Sequence, residues 1–159
     1  MTARTAGSAG TTRPPAAPRW VTMFTPIARR LLMAGLPLGF NGLITIPGRR
    51  TGLPRTTPIA LIDVAGRRWV WAPWAGSQWV HNLRAAGRAT ITFRRREEDV
   101  LATELDADQR IAFFRDTLRP VARTIPLGMW FIRTVDGTDL DDPIGAAEGR
   151  AVFELRSAE

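Results

Sequence analysis

Between residues 43 and 105 apolar and polar positions mostly alternate with the period of a β-strand. Leu43 to Ile46 is a short, partly β-branched run that ends at Pro47-Gly48. Thr57 to Val64 is longer, with Ile59 and Leu61 on one face and Ala60 and Ile62 on the other. Both faces are apolar, as expected of a strand covered on both sides. Ala65-Gly66 reads as a hairpin break, and Arg67 to Ala72 as the returning strand, with Trp69 and Trp71 on one side. Ala89, Ile91 and Phe93 alternate with Thr90, Thr92 and Arg94 in a half-buried strand. The polar tip Arg95-Arg96-Glu97-Glu98 then turns the chain into a strand at about 99–105, and Ala151, Phe153 and Leu155 alternate in a last one.

Helical spacing appears in four places. Trp20, Phe24, Ile27 and Leu31 predict an amphipathic helix over 20–34, and Gly35, Pro37 and Gly39 break that run well short of a membrane span. Ser77 is an N-cap, the helix runs from Gln78 to Ala86, and Gly87 closes it; Trp79, Leu83 and Ala86 share a face. Asp106 with Gln109 reads as a capping-box variant that opens a helix through Leu118, with Ile111, Phe114 and Leu118 inward and Pro120 as the stop. Residues 121–135 predict a second short helix containing Met129, Trp130 and Phe131. No βαβ repeat is present, so the pattern predicts an α+β, mainly β fold: a small antiparallel barrel with peripheral helices, one domain over 20–159. Residues 1–19 carry no large apolar side chain until Trp20 and are expected to be a disordered tail.

Composition narrows the chemistry. Cysteine, lysine and tyrosine are all absent and histidine occurs once, as His81. That excludes thiolate metal sites, Cys nucleophiles, Schiff-base lysines and a His-based zinc cluster, so no metal site is expected. The formal charge of +7 is one-sided. Residues 1–62 hold eight Arg and no acid, whereas residues 63–159 hold 14 Arg against 15 acids. A basic half of this kind points to an anionic partner: phosphate, carboxylate or lipid headgroup. The arginines lie in a tail and a Gly/Pro loop, not along a helix or an aromatic-studded sheet, so nucleic acid is not expected. The stretch 1–19 lacks the apolar run of a secretory signal, and the expectation is a cytoplasmic protein, with the inner face of the membrane as the alternative through helix 20–34.

Two stretches carry the candidate chemistry. Gly48-Arg49-Arg50-Thr51-Gly52-Leu53-Pro54-Arg55-Thr56-Thr57-Pro58 crowds three guanidinium groups and three threonine hydroxyls into a loop that glycine and proline keep out of regular structure. Arginine forks grip phosphate or carboxylate bidentately; the competing reading is a solvated basic turn. Ala72-Pro73-Trp74-Ala75-Gly76-Ser77 places small residues before a helix N-terminus, where backbone amides favour an anion and Trp74 and Trp79 can stack on a planar ring. Both tryptophans also read as core aromatics. Asp136, Asp139, Asp141 and Asp142 lack calcium-loop spacing and read as a solvated turn.

These residues carry a resemblance. The strand, GRRTGLPRTTP, the hairpin, the small-residue turn and WVHNL resemble the deazaflavin-dependent nitroreductase family, split-barrel reductases that use coenzyme F420. The likeness covers about residues 40–95 well and the rest loosely. It implies a split β-barrel of the flavin-reductase and pyridoxamine-oxidase type. It implies a cofactor-binding set of Arg49, Arg50, Thr51, Gly52, Arg55, Thr57, Pro58, Ala72, Pro73, Trp74, Ala75, Gly76, Ser77, Trp79 and Asn82, with Arg55 on the anionic tail. The implied reaction passes a hydride from reduced F420 to a quinone, nitro compound or other activated acceptor, with FMN as the alternative cofactor. The turn before Trp79 is shorter than the family's, and Val80 stands where relatives carry Tyr, so that where relatives use tyrosines this chain would use water, Ser77 or His81, the two side chains being the candidate catalytic residues. A non-catalytic barrel that holds the cofactor or a fatty acid at a membrane is the competing function, and a homodimer is compatible with either.

Overall fold

The computed structural model describes residues 41–73 and 76–158. The tail 1–19, the amphipathic helix 20–34, and Trp74 and Ala75 lie outside the described residues. Six strands form the frame: β1 Asn41–Pro47, β2 Pro54–Val64, β3 Arg67–Trp71, β4 Arg88–Phe93, β5 Arg96–Glu104 and β6 Val152–Ser157. All pairings are antiparallel and close into a barrel in the order β1-β2-β3-β6-β5-β4. The α+β, mainly β antiparallel barrel expected from the alternation is therefore what the chain forms.

Side-chain parity builds two apolar clusters on the two faces of one sheet. Ile44, Ile46, Ile59, Leu61, Val70, Ile91, Val100, Phe153 and Leu155 point into the barrel. Ile62, Trp69, Trp71 and Val152 point outward and are covered by a helical layer that brings Phe113, Phe114, Leu118 and Leu140. The doubly apolar register of β2 is explained by this second layer. Helix α1, Gln78–Ala86, contributes Trp79, Val80 and Leu83 to the inner cluster and so plugs one end of the barrel. Gly87 ends it in the left-handed conformation at φ 64°, its N–H donating to the Leu83 carbonyl.

The outer layer contains α2, Ala107–Ala112, opened by the full Asp106–Gln109 capping box, then a π-helical turn Phe113–Leu118 and α3, Arg119–Thr124. After it come α4, Gly128–Phe131, a second π-helical turn Ile132–Asp136, and α5, Pro143–Ala147. Pro120 does not stop the helix. The wide π turn just before it leaves that stretch without the ordinary i→i−4 register, so the missing N–H and the ring are tolerated there. The β4–β5 turn is only Arg94-Arg95, and Arg96, Glu97 and Glu98, predicted as part of a polar tip, already lie on β5, because Phe93 pairs with Arg96 and both turn residues take positive φ (50° and 65°). No described helix is long and apolar enough to cross a membrane.

Candidate functional site

Register fixes where the basic loop lands. Arg55 pairs with Ile46 and Thr57 with Ile44, and facing residues in an antiparallel ladder share a side. Ile44 and Ile46 point into the barrel, so Arg55 and Thr57 continue the inward row to the mouth that α1 covers. Between the strands the loop is fixed by its own backbone: the Gly48 N–H donates to the Leu53 carbonyl (2.9 Å) and the Gly52 N–H to the Gly48 carbonyl (2.7 Å). Gly52 sits at φ 70°, a conformation that disfavours other residues, and the Leu53 N–H donates to Thr51 Oγ1 at 3.3 Å.

The loop faces the first turn of α1 across a cleft of about 550 Å³. Arg49, Arg50, Thr51, Arg55, Thr57, Trp79 and Asn82 line it, together with Gly48, Pro54, Thr56 and Gln78. No carboxylate is among the lining residues, and among the described residues none of the three arginines forms an ion pair. Arg49 is held by neutral partners: its guanidinium donates to Asn82 Oδ1 and to Gln78 Oε1, each at 3.0 Å, and its backbone N–H also donates to Asn82 Oδ1 at 3.3 Å. Asn82 is buried at 7% exposure, so its amide fixes the arginine and the helix against one another. Arg50 and Arg55 are exposed at the rim. The first turn of α1 carries no acidic residue, so its positive end adds to the field in the cleft.

The remaining sequence-predicted residues are placed elsewhere. Ala72 is a core residue at 1% exposure whose N–H donates to the Ala151 carbonyl. Gly52 turns the loop, and Pro58 lies on β2 opposite Leu43. Pro73 is half-buried; Gly76 is exposed at φ 77°, its carbonyl accepting from Gln78 Nε2. Ser77 precedes α1 half-buried, its hydroxyl not capping the helix, and His81 is exposed outside the cleft lining. Gln78 was not among the predicted residues; its i, i+4 spacing to Asn82 is the signal that would have found it.

Behind the β3–α1 connection lies a pair of charges that the sequence did not reveal. Asp136 accepts a hydrogen bond from Trp71 Nε1 at 3.3 Å, and burial pushes its carboxyl up to about 6 against that bond and the nearby positive charge of Arg150. It is therefore not the solvated turn residue that its acidic neighbourhood suggests. Among the described residues no group of three or more His, Cys, Asp or Glu side chains could hold a metal ion.

The closed antiparallel barrel has an arginine-lined mouth whose lining contains no carboxylate, a place suited to a negatively charged group. Sequence comparison gives the family. The family model described as F420H(2)-dependent quinone reductase matches residues 26–124, and the chain belongs to that family, a family of F420-dependent enzymes. No curated protein matches it in sequence. Among solved structures, one described as a domain-swapped dimer is similar over 86% of this chain and 97% of its own, with a TM-score of 0.52 and 18% identity. An F420-H2 dependent reductase, FDR-A, aligns over 74% and 94% at a TM-score of 0.49 and 17% identity. A putative pyridoxamine 5'-phosphate oxidase from Listeria innocua aligns over 83% and 94% at 0.49 and 10%.

Proposed function

We propose that this F420-dependent reductase passes a hydride from reduced F420 to a quinone, or to a comparably activated nitro compound, in the cleft between the 48–57 loop and α1. The observation that carries the reading is a cleft of about 550 Å³ lined by three arginines and no carboxylate. Such a site is electrostatically unfinished without an anion. When bound, reduced F420 supplies the hydride; the protein supplies binding, orientation and exclusion of water.

The residues divide that work. Arg50 and Arg55, exposed at the rim, are the grips for the anionic tail, and Thr57 offers a hydroxyl beside them. Arg49 is already engaged by Gln78 and Asn82, so it shapes the wall and lends charge more than it reaches out. Trp79 gives the cleft its aromatic side and is itself anchored by Phe153, with ring centroids 6.1 Å apart. Ser77, half-buried just before α1 and outside the cleft lining, is the residue we assign to pass a proton to the reduced acceptor because it adjoins Gln78, while His81 faces solvent and serves at most through water. The deciding experiment mixes purified protein with reduced F420 and menadione and follows recovery of the oxidised cofactor's absorbance. Turnover well above the protein-free rate, lost in Arg55→Ala, is expected. Tight F420 binding without turnover over several quinones and nitro compounds would remove the reductase assignment for this cleft, and tighter binding of FMN than of F420 would change the cofactor.

A further inference from the structure

Arg150 is 6% exposed and has no carboxylate hydrogen-bonded to it. Its guanidinium donates only to main-chain carbonyls: Nε to Pro73 (3.2 Å), Nη1 to Gly145 (3.3 Å) and Ala146 (3.1 Å), and Nη2 to Gly137 (3.0 Å). A buried charge satisfied in this way is costly to bury and makes sense for what it ties together. It ties the loop after the second π turn and helix α5 to the point where the chain leaves β3. Ala72, just before that point, is pinned by its own bond to Ala151. Gln78, five residues after Pro73, begins the helix whose Gln78, Trp79 and Asn82 form one wall of the cleft.

We infer that Arg150 is a positioning residue for the cleft, acting through the Pro73 carbonyl to set where α1 begins relative to the arginine loop. The inference rests on the cleft being the F420 site. Only a planar fork fits the arrangement, because three nitrogens must reach three separated segments at once; an ammonium group on a flexible stem is hydrated strongly and cannot span them. The contact between Pro73 and Arg150 joins residues 77 apart in sequence, so no local element can replace it.

The test is Arg150→Lys, which keeps the charge and loses the fork. Displacing a binding wall by the order of 1 Å is expected to lower kcat/KM for menadione with reduced F420 by about tenfold to a hundredfold. The Kd for F420 should rise in parallel, and amide exchange at Val80–Leu83 should quicken while β4 and β5 keep their protection. Arg68→Lys, which loosens an ion pair at the opposite barrel mouth, is the control for general destabilisation and should leave the F420 affinity within about twofold. A folded Arg150→Lys protein with wild-type F420 affinity overturns the inference. Should that variant fail to fold, native-state exchange in the wild type decides: residues 137–147 and the first turn of α1 should open together, with the same denaturant dependence, and independent opening overturns it. If the wild type itself does not bind F420, the exchange result still stands, and it is the functional reading that falls.

Discussion

The two mouths of the barrel hold cavities of nearly equal size, about 550 Å³ and about 530 Å³, and both are rich in arginine. At the α1 mouth the lining contains no acid, and Arg49 rests on the amide oxygens of Gln78 and Asn82. The far mouth, roughly 20 Å further along β2, contains Asp63 and Glu98 beside Arg68, Arg94 and Arg96. There Arg68 donates to both oxygens of Glu98 at 2.5 and 2.8 Å, and the Ser157 hydroxyl donates to the same carboxylate. The guanidinium bond holds the Glu98 carboxyl down at about 2, and the same contact raises Arg68. One mouth carries its counter-charge with it and the other does not. Arginine content alone therefore says little about a ligand; the lack of a matching acid says more.

The strongest way to break this comparison is the double variant Arg50→Ala/Arg55→Ala. Each charge-assisted contact is worth about 1.5–3 kcal/mol, so the Kd for F420 should rise by a hundredfold or more in a fluorescence titration. Thermal stability should hold or improve, because like charges are removed. If the affinity survives, the acid-free mouth is not the tail site.

Next in size is a pH effect from Asp136, whose carboxyl lies near the positive charge of Arg150. The Asp136 carboxyl sits at about 6 in the folded protein, above its ordinary 3.8, because burial disfavours the charged form. The native state then binds the proton more tightly than the unfolded chain, so Asp136 costs stability as pH rises from about 4 to about 6, and the cost stays constant above that. The full shift corresponds to about 3 kcal/mol. Asp136→Asn, which still accepts the Trp71 bond, should stabilise the protein at pH 7 and flatten that window in urea melts. Glu98 has the opposite sign: its lowered carboxyl contributes stability above about pH 4.5 that is lost as pH falls towards 2.

Arg68→Ala sharpens the contrast from the other side. Glu98 loses its partner, and because that carboxylate is more than a third exposed, solvent screening reduces the cost to about 1 kcal/mol. A lower urea midpoint with unchanged F420 affinity is the expected pair of results. Smallest should be Asn82→Ala, which frees Arg49 and leaves Gln78 as its neighbour; the F420 Kd should rise a few-fold, and a hundredfold loss would mean that Asn82 touches the ligand itself.

Much of this was legible in the residue pattern. Ile59 and Leu61 against Ala60 and Ile62 announced a strand with cover on both faces; that β2 already begins at Pro54, so that Arg55 and Thr57 extend its inward row instead of lying in the loop, was not announced, because the pairing with β1 that orders them is non-local. Arg49 and Arg50 were legible as loop residues because Gly48 and Gly52 hold that stretch out of regular structure. Pro120 misled, since its tolerance depends on a π turn that no local propensity announces. Asp136 and Arg150 were illegible for a deeper reason: their burial is imposed by carbonyls and an indole brought from far along the chain, with nothing beside them in sequence to signal it. Ala72 read as a ligand-approaching small residue; it is buried in the core and outside the cleft lining, because the strand pairing that buries it is non-local.

Closure of the sheet has a consequence for company as well as for chemistry. Because β1 returns to β4, every strand already has a neighbour on each side. Among the described strands, a second copy or a stray extended peptide therefore finds little unpaired main-chain edge to add itself to.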